Sequence, residues 1–131
     1  MSAKEILELH AKELSESVGL NAEVLQEGNR LFVLIHKYPL PLGVSKVEHT
    51  DVLFITDTQY PLSAMDMFWT EVEVVKPDGS IFQGADTIEQ YLGRSWRRFS
   101  YHRNSVWNTN GNLLMDHYVF MEARWTGRAT R

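Results

Sequence analysis

The chain contains no cysteine among its 131 residues. This absence excludes disulfide bonds, thiolate ligands for a metal ion and any cysteine nucleophile. It also fits a reducing compartment such as the cytoplasm, where disulfides are rare. The missing thiol bears more on the mechanism of the protein than on its location.

Long apolar runs and an excess of basic charge are also missing. No apolar run approaches the roughly 18 residues that span a bilayer, and the N-terminus lacks the apolar stretch of a signal peptide. The formal net charge of −4 argues against a protein built mainly to hold nucleic acid. We therefore expect one cytoplasmic domain over residues 1–131, without membrane contact and with a tail that frays from about residue 126.

Both ends of the chain carry helical signals. Ser2 and Glu5 form a capping-box pattern and Gly19 is a natural stop, which together predict an N-terminal helix. A second helix is predicted at about 112–123, because apolar residues recur there at intervals of three or four. Both helices should bury one face against a core.

Four segments between the helices have the composition of β-strands: residues 22–26, 30–36, 51–56 and 68–75. A short helix is predicted at 87–92, with Asp86 as its cap and Gly93 as its stop. The rest of 80–111 lacks a sustained period, but its many aromatic residues indicate an ordered loop. These elements predict an α+β fold: an N-terminal helix, an antiparallel four-stranded meander sheet, a long ordered loop and a C-terminal helix.

The segment WRRFSYHRNSVWNTNG, residues 96–111, carries the residues best suited to catalysis or to binding a partner. Ser100 and His102 are two positions apart, so in an extended segment their side chains point the same way. An imidazole is suited to take the proton of a serine hydroxyl near neutral pH. The neighbouring Arg97, Arg98 and Arg103 would stabilise an oxyanion or hold an acidic partner surface.

The same segment has other interpretations. The Ser100 hydroxyl would equally form a hydrogen bond with the backbone of the loop, and His102 would equally be a surface or packing residue. A partner would be bound by the aromatic and arginine side chains together, namely Trp96, Arg97, Arg98, Phe99, Tyr101, Arg103 and Trp107. Alternatively, Trp96 and Trp107 pin the loop to the core with their indole N–H groups bonded. Base stacking is disfavoured by the net acidic charge and by the lack of a nucleic-acid-binding motif.

No metal site or cofactor is predicted. His102, Asp116 and His117 have no metal-ligand spacing, and the adjacent Asp116 and His117 face different directions on a helix. His117 falls on the buried stripe of the second helix. It is therefore predicted to be a core histidine.

Four features taken in order resemble the ubiquitin-conjugating enzyme (E2) superfamily, and most closely its divergent bacterial members encoded beside ubiquitin-like proteins. They are YPLSAMDMFW just after the strand DVLFIT, then PDG, then WRRFSYH, and finally W-x-x-x-G leading into the closing helix. The resemblance covers about residues 31–125. It implies an E2-like fold, with a ubiquitin-like protein and an E1-like activating enzyme as partners.

The chain departs from the familiar E2 pattern at the reactive position. The His-Pro-Asn tripeptide and the thioester-forming cysteine are both absent. When the family's interval between that cysteine and the later tryptophan is counted back from Trp107, it ends at Phe99 or Ser100. The resemblance therefore implies one of two roles. In the first, Ser100 carries the ubiquitin-like protein as an oxyester, with His102 as base and Asp116 as a candidate orienting acid. In the second, the chain is a catalytically inactive adaptor, so whether it is an enzyme stays open.

Overall fold

The computed structural model describes residues 1–102 and 111–126. Within these residues the chain forms two helices and six strands: α1 Ala3–Val18, β1 Ala22–Glu27, β2 Arg30–Pro39, β3 His49–Asp57, β4 Phe68–Thr70, β5 Thr87–Tyr91, β6 Arg94–Phe99 and α2 Leu113–Trp125. The predicted α+β class is confirmed, with a helix at each end of an antiparallel sheet. Across the described residues, every helix is too short or too polar to cross a membrane.

The helix ends form where the sequence predicts them. The Ser2 hydroxyl accepts a hydrogen bond from the Glu5 N–H, and the Glu5 carboxylate accepts one from the Ser2 N–H. Gly19 ends α1 in the left-handed conformation, with φ of 74°. The Asn112 side chain caps α2 by accepting from the N–H of Met115 at 2.9 Å.

The sheet has the strand order β1-β2-β3-β4-β6-β5, and all its neighbouring strands are antiparallel. The first four strands form the predicted meander. In the described part of the chain, two further strands then extend the sheet beyond β4, so the predicted count of four was too low. The extra pair lies within residues 80–111, which were predicted to be a long loop.

The helix predicted at 87–92 is wrong, because Thr87–Tyr91 is a strand that pairs with β6. Leu92 and Gly93 form the two-residue connection between these strands, and both have positive φ, 56° and 74°. This backbone matches the tight turns of β-hairpins. Gly93 is therefore a hairpin residue rather than a helix stop, and the segment before it is too short to hold a helix by propensity alone.

The strand predicted at 68–75 ends early, at Thr70. Glu71 explains this ending, because its N–H donates to the Thr50 hydroxyl at 3.0 Å and its carboxylate accepts from the Asp51 N–H at 2.6 Å. These side-chain hydrogen bonds take the place of the next backbone hydrogen bonds between β3 and β4. The chain then turns, and the Val74 N–H donates to the Glu71 carbonyl.

The sheet is apolar on both faces. One face packs against α1 and α2 in the larger core, which includes Leu7, Leu14, Val33, Phe54, Phe68, Phe99, Leu114 and Met121. The opposite face carries a second core of Phe32, Leu34, Leu53, Trp69 and Trp96. Strand β2 contributes side chains to both cores and is therefore covered on both sides.

The second core is closed by the β5–β6 hairpin itself. Tyr91 lies on the outermost strand, yet its ring approaches that of Phe32 on β2 at 5.8 Å and that of Trp69 at 5.9 Å between centroids. Arg94 forms an ion pair with Asp51 of β3 at 3.1 Å. The end of the hairpin is therefore curled over the face that α1 and α2 do not cover.

Candidate functional site

Strand β6 divides its side chains between the two cores. Arg97 and Phe99 point to the face covered by the helices, whereas Trp96 and Arg98 point to the opposite face. Ser100 follows directly, and its N–H donates to the Gly84 carbonyl at 2.9 Å. This bond holds the start of the predicted reactive segment against the chain that precedes β5.

The Ser100 hydroxyl is held by an arginine. Arg98 donates from Nε to Ser100 Oγ at 2.9 Å and from Nη1 to Glu89 Oε2 at 3.0 Å. Glu89 in turn accepts from the indole N–H of Trp69 at 2.8 Å. A chain of charge-assisted hydrogen bonds therefore runs from the second core to the serine oxygen.

His102 has a carboxylate partner that sequence reasoning missed. Its Nδ1 lies 2.5 Å from Oδ2 of Asp66, and the two side chains are 69% and 42% exposed. A carboxylate at Nδ1 fixes the ring orientation and leaves Nε2 as the proton-accepting nitrogen. The pair therefore has the form of a solvent-accessible general base with its orienting acid.

Asp66, rather than the predicted Asp116, is the carboxylate that contacts His102. Asp116 is exposed on α2, and among the described residues no hydrogen bond joins it to His102. Asp66 is separated from His102 by 36 positions, so only the fold brings them together. The available sequence signal was its place in YPLSAMDMFW, the stretch that resembles the E2 pattern.

Ser100 and His102 both lie just beyond the end of β6, but they are held by different partners. Across the described residues, no hydrogen bond links the serine hydroxyl to the imidazole, because Arg98 holds one and Asp66 the other. Catalytic hydrogen bonds often tighten only in the complex with substrate. A direct bond between the serine hydroxyl and the imidazole would therefore require a rearrangement of these side chains.

Several residues predicted to bind a partner are instead buried, with their polar groups bonded within the fold. Trp96 and Phe99 are fully buried, and the indole N–H of Trp96 donates to the Tyr91 carbonyl at 3.0 Å. Arg97 is 9% exposed and donates to the backbone carbonyls of Val72 and Ala85. These three side chains hold the fold together and present almost no surface.

Arg98 and Tyr101 are the partly exposed members of that set. The Tyr101 hydroxyl donates to the Gln83 carbonyl, and the Arg124 guanidinium lies 4.6 Å from the centre of its ring. Arg103 and Trp107 lie outside the described residues. The surface next to Ser100 thus retains an arginine and a tyrosine.

The Asp66 segment is tied to α1 through Tyr60, which follows β3. The Tyr60 hydroxyl lies 2.7 Å from Nδ1 of His10, and burial raises the pKa of the tyrosine well above its ordinary value. Burial also lowers the pKa of His10 from its ordinary 6.5. Both shifts favour an arrangement in which the Tyr60 hydroxyl donates this hydrogen bond to Nδ1 of a neutral imidazole.

His117 is a core histidine, as predicted. It is fully buried, and its Nε2 lies 2.7 Å from the Met67 carbonyl. Its ring also packs edge-on against Phe54 at 4.6 Å between centroids. The residue joins α2 to the end of the segment that carries Asp66.

The helix–sheet–helix order, together with the Tyr-Pro turn after β3, defines an α+β protein with an E2-like fold. The chain belongs to prokaryotic E2 family E, whose family model matches residues 7–126. A search of curated proteins and a search of solved structures found no match to the chain.

Proposed function

We propose that the chain is a cytoplasmic E2-like component of a bacterial ubiquitin-like protein conjugation system, and that it carries the ubiquitin-like protein as an oxyester on Ser100. The observation that carries this proposal is the His102–Asp66 pair at 2.5 Å, which is exposed two positions beyond Ser100 in the chain. An oriented imidazole beside a serine is the minimum requirement for activating a hydroxyl nucleophile. Membership of prokaryotic E2 family E supports the proposed reaction class, acyl transfer of a protein C-terminus.

In the proposed transfer, Ser100 Oγ attacks the thioester carbonyl of a ubiquitin-like protein carried by an E1-like enzyme. The serine proton passes to Nε2 of His102, a carbon–oxygen bond forms and the carbon–sulfur bond breaks. His102 then returns the proton to the departing thiolate. Asp66 stabilises the imidazolium between these two steps, as an orienting carboxylate does in serine hydrolases.

Arg98 has a direct part in this proposal. Its Nε donates to Ser100 Oγ at 2.9 Å, so the guanidinium orients the hydroxyl and favours its deprotonation as His102 takes the proton. Glu89 holds the guanidinium in place. We propose that Arg98, Tyr101, Arg103 and Trp107 also contact the ubiquitin-like protein or its activating enzyme, because Trp96, Arg97 and Phe99 are buried.

The test is a transfer assay read by intact-mass spectrometry, with ATP, the candidate E1-like enzyme and a processed ubiquitin-like protein. The proposal expects an adduct that survives thiol reductant, yields to hydroxylamine and is absent in Ser100→Ala. Asp66→Asn should slow adduct formation by about 10- to 1,000-fold, whereas Asp116→Asn, the matched control, should not. Equal adduct formation by Ser100→Ala would overturn the assignment of the nucleophile.

A second candidate is a catalytically inactive adaptor that binds the ubiquitin-like protein or its E1-like enzyme. It is favoured by the separate engagement of Ser100 with Arg98 and of His102 with Asp66. An adaptor would form a stable non-covalent complex without any adduct. Substitution of Ser100 or His102 would then leave binding unchanged, while Arg98→Ala or Tyr101→Ala would weaken it.

A further inference from the structure

Strand β1 is an edge of the sheet, and half of its backbone points away from β2. The His36 N–H donates to the Asn21 carbonyl, which fixes the odd-numbered residues of this segment as those that face β2. The N–H and C=O groups of Ala22, Val24 and Gln26 therefore point outward. The Ser15 hydroxyl accepts from the Ala22 N–H at 3.0 Å. Within residues 1–102 and 111–126, the backbone groups of Val24 and Gln26 have no such partner.

A groove of about 340 Å³ runs between this edge and α1. Its floor is apolar and small, made of Ala11, Ala22 and Val24. Its rim carries Glu8, Lys12, Ser15 and Glu16 from α1. An extended chain laid against β1 would therefore have backbone partners on one side and an apolar trough with an acidic rim on the other.

The charge around the groove indicates what kind of chain would lie there. The charged residues that line the groove are Glu8, Lys12 and Glu16, a formal charge of −1, and residues 1–27 as a whole carry a formal charge of −4. Two copies of β1 paired edge to edge would bring these acidic segments together, which disfavours self-association. Lysine or arginine side chains fit better, because their aliphatic stems cover the apolar floor while their charged ends reach Glu8 and Glu16.

We propose that the α1–β1 groove binds an extended, basic peptide segment of a protein partner by adding it as a strand beside β1. The bound segment donates to and accepts from the outward backbone groups of Val24 and Gln26. This binding is independent of Ser100 and of the oxyester chemistry. It gives the protein a second protein-binding surface, on the opposite edge of the sheet from the β5–β6 hairpin.

The probe is a fluorescein-labelled peptide of alternating lysine and threonine residues, about as long as β1, titrated with the full chain at low salt and followed by anisotropy. Saturable binding is expected, and the same peptide with glutamate in place of lysine should not bind. Val24→Pro removes an outward N–H without breaking the β1–β2 ladder and should weaken binding at least about tenfold. Glu8→Gln/Glu16→Gln should weaken it about three- to tenfold.

The matched control is Glu48→Gln/Glu73→Gln, which removes the same charge from exposed positions away from the groove. It should leave affinity within about twofold. Because Val24→Pro could disturb folding, amide hydrogen exchange of the wild-type chain provides a second measurement: peptide binding should slow exchange at Val24 and Gln26. Equal weakening by both double variants, or unchanged exchange at these amides, would overturn the proposal. A dimer abolished by Val24→Pro would overturn it in favour of a second copy.

Discussion

The two faces of the sheet carry comparable aromatic cores, but different elements close them. On one face α1 and α2 cover Phe54, Phe68 and Phe99, whereas on the other the curled β5–β6 hairpin covers Phe32, Trp69 and Trp96. The candidate nucleophile belongs to the second face, because Arg98 of the hairpin donates to Ser100 and is itself held by Glu89. The same hairpin completes a core and holds the candidate nucleophile, so a change that destabilises it should affect both.

The largest expected effect tests whether the second face is a true core. Trp96→Ala should lower the free energy of unfolding by about 3–5 kcal/mol, because the indole is fully buried and its removal leaves a cavity. Phe99→Ala, equally buried on the helix side, is the matched control and should cost a similar amount. Urea denaturation measures both. A loss below about 1 kcal/mol for Trp96→Ala alone would mean that the hairpin covers the face only loosely.

Adjacent arginines on opposite faces provide the next test. Arg97→Met should cost about 2–4 kcal/mol of stability, because the Val72 and Ala85 carbonyls lose a buried charged donor. Arg98→Met should cost less than about 1 kcal/mol, since its ion pair with Glu89 is partly exposed. Only Arg98→Met should impair adduct formation after correction for stability. The reverse order in urea denaturation would contradict the assignment of the two faces.

The turn of the hairpin gives a smaller and more local effect. Gly93→Ala should lower the free energy of unfolding by about 1–2 kcal/mol, because φ there is 74°, a conformation that strains any residue with a Cβ. No atom lies within 4 Å of the added Cβ, so no steric clash adds to this cost. Gly19→Ala has the same φ at the end of α1 and should cost a similar amount. Only Gly93→Ala should speed hydrogen exchange at the Trp96 indole N–H, which donates to Tyr91. Equal acceleration in both variants would argue against closure by the hairpin.

The smallest effect concerns pH and the helix-covered side. Burial lowers the pKa of His10 in the folded chain. The imidazole therefore binds its proton at a higher pH in the unfolded chain than in the folded chain. The free energy of unfolding should therefore fall as the pH drops below 6.5. In His10→Gln this part of the decline should disappear. An unchanged slope in urea denaturation across this range would exclude His10 as its source.

The helices and the first three strands were predictable because their signals are local. Capping at Ser2 and the apolar stripe through Leu7, Ala11 and Leu14 need no knowledge of distant residues. The β5–β6 hairpin was missed because its alternation is irregular and its turn, Leu92-Gly93, resembles a helix end. Glu71 ended β4 through side-chain bonds to β3 that no sequence window contains.

The candidate site was predictable only in part, for the same reason. Ser100 and His102 are close in sequence, and the resemblance to E2 proteins directs attention to them. Asp66 and Glu89 are brought to the site by the loop after β3 and by β5, so no spacing rule identifies them. The burial of Trp96, Arg97 and Phe99 also depends on the hairpin, whose alternation separates Arg97 from Arg98.

The most direct test of the central claim changes one atom of the proposed nucleophile. Ser100→Cys places a thiol where the hydroxyl lies, and thiol reductants cleave thioesters but not oxyesters. If Ser100 carries an oxyester, the wild-type adduct should resist reductant, whereas the Ser100→Cys adduct should form and be released by it, as read by intact-mass spectrometry. An adduct that resists reductant equally in both proteins would place the acyl group on another residue and contradict the account.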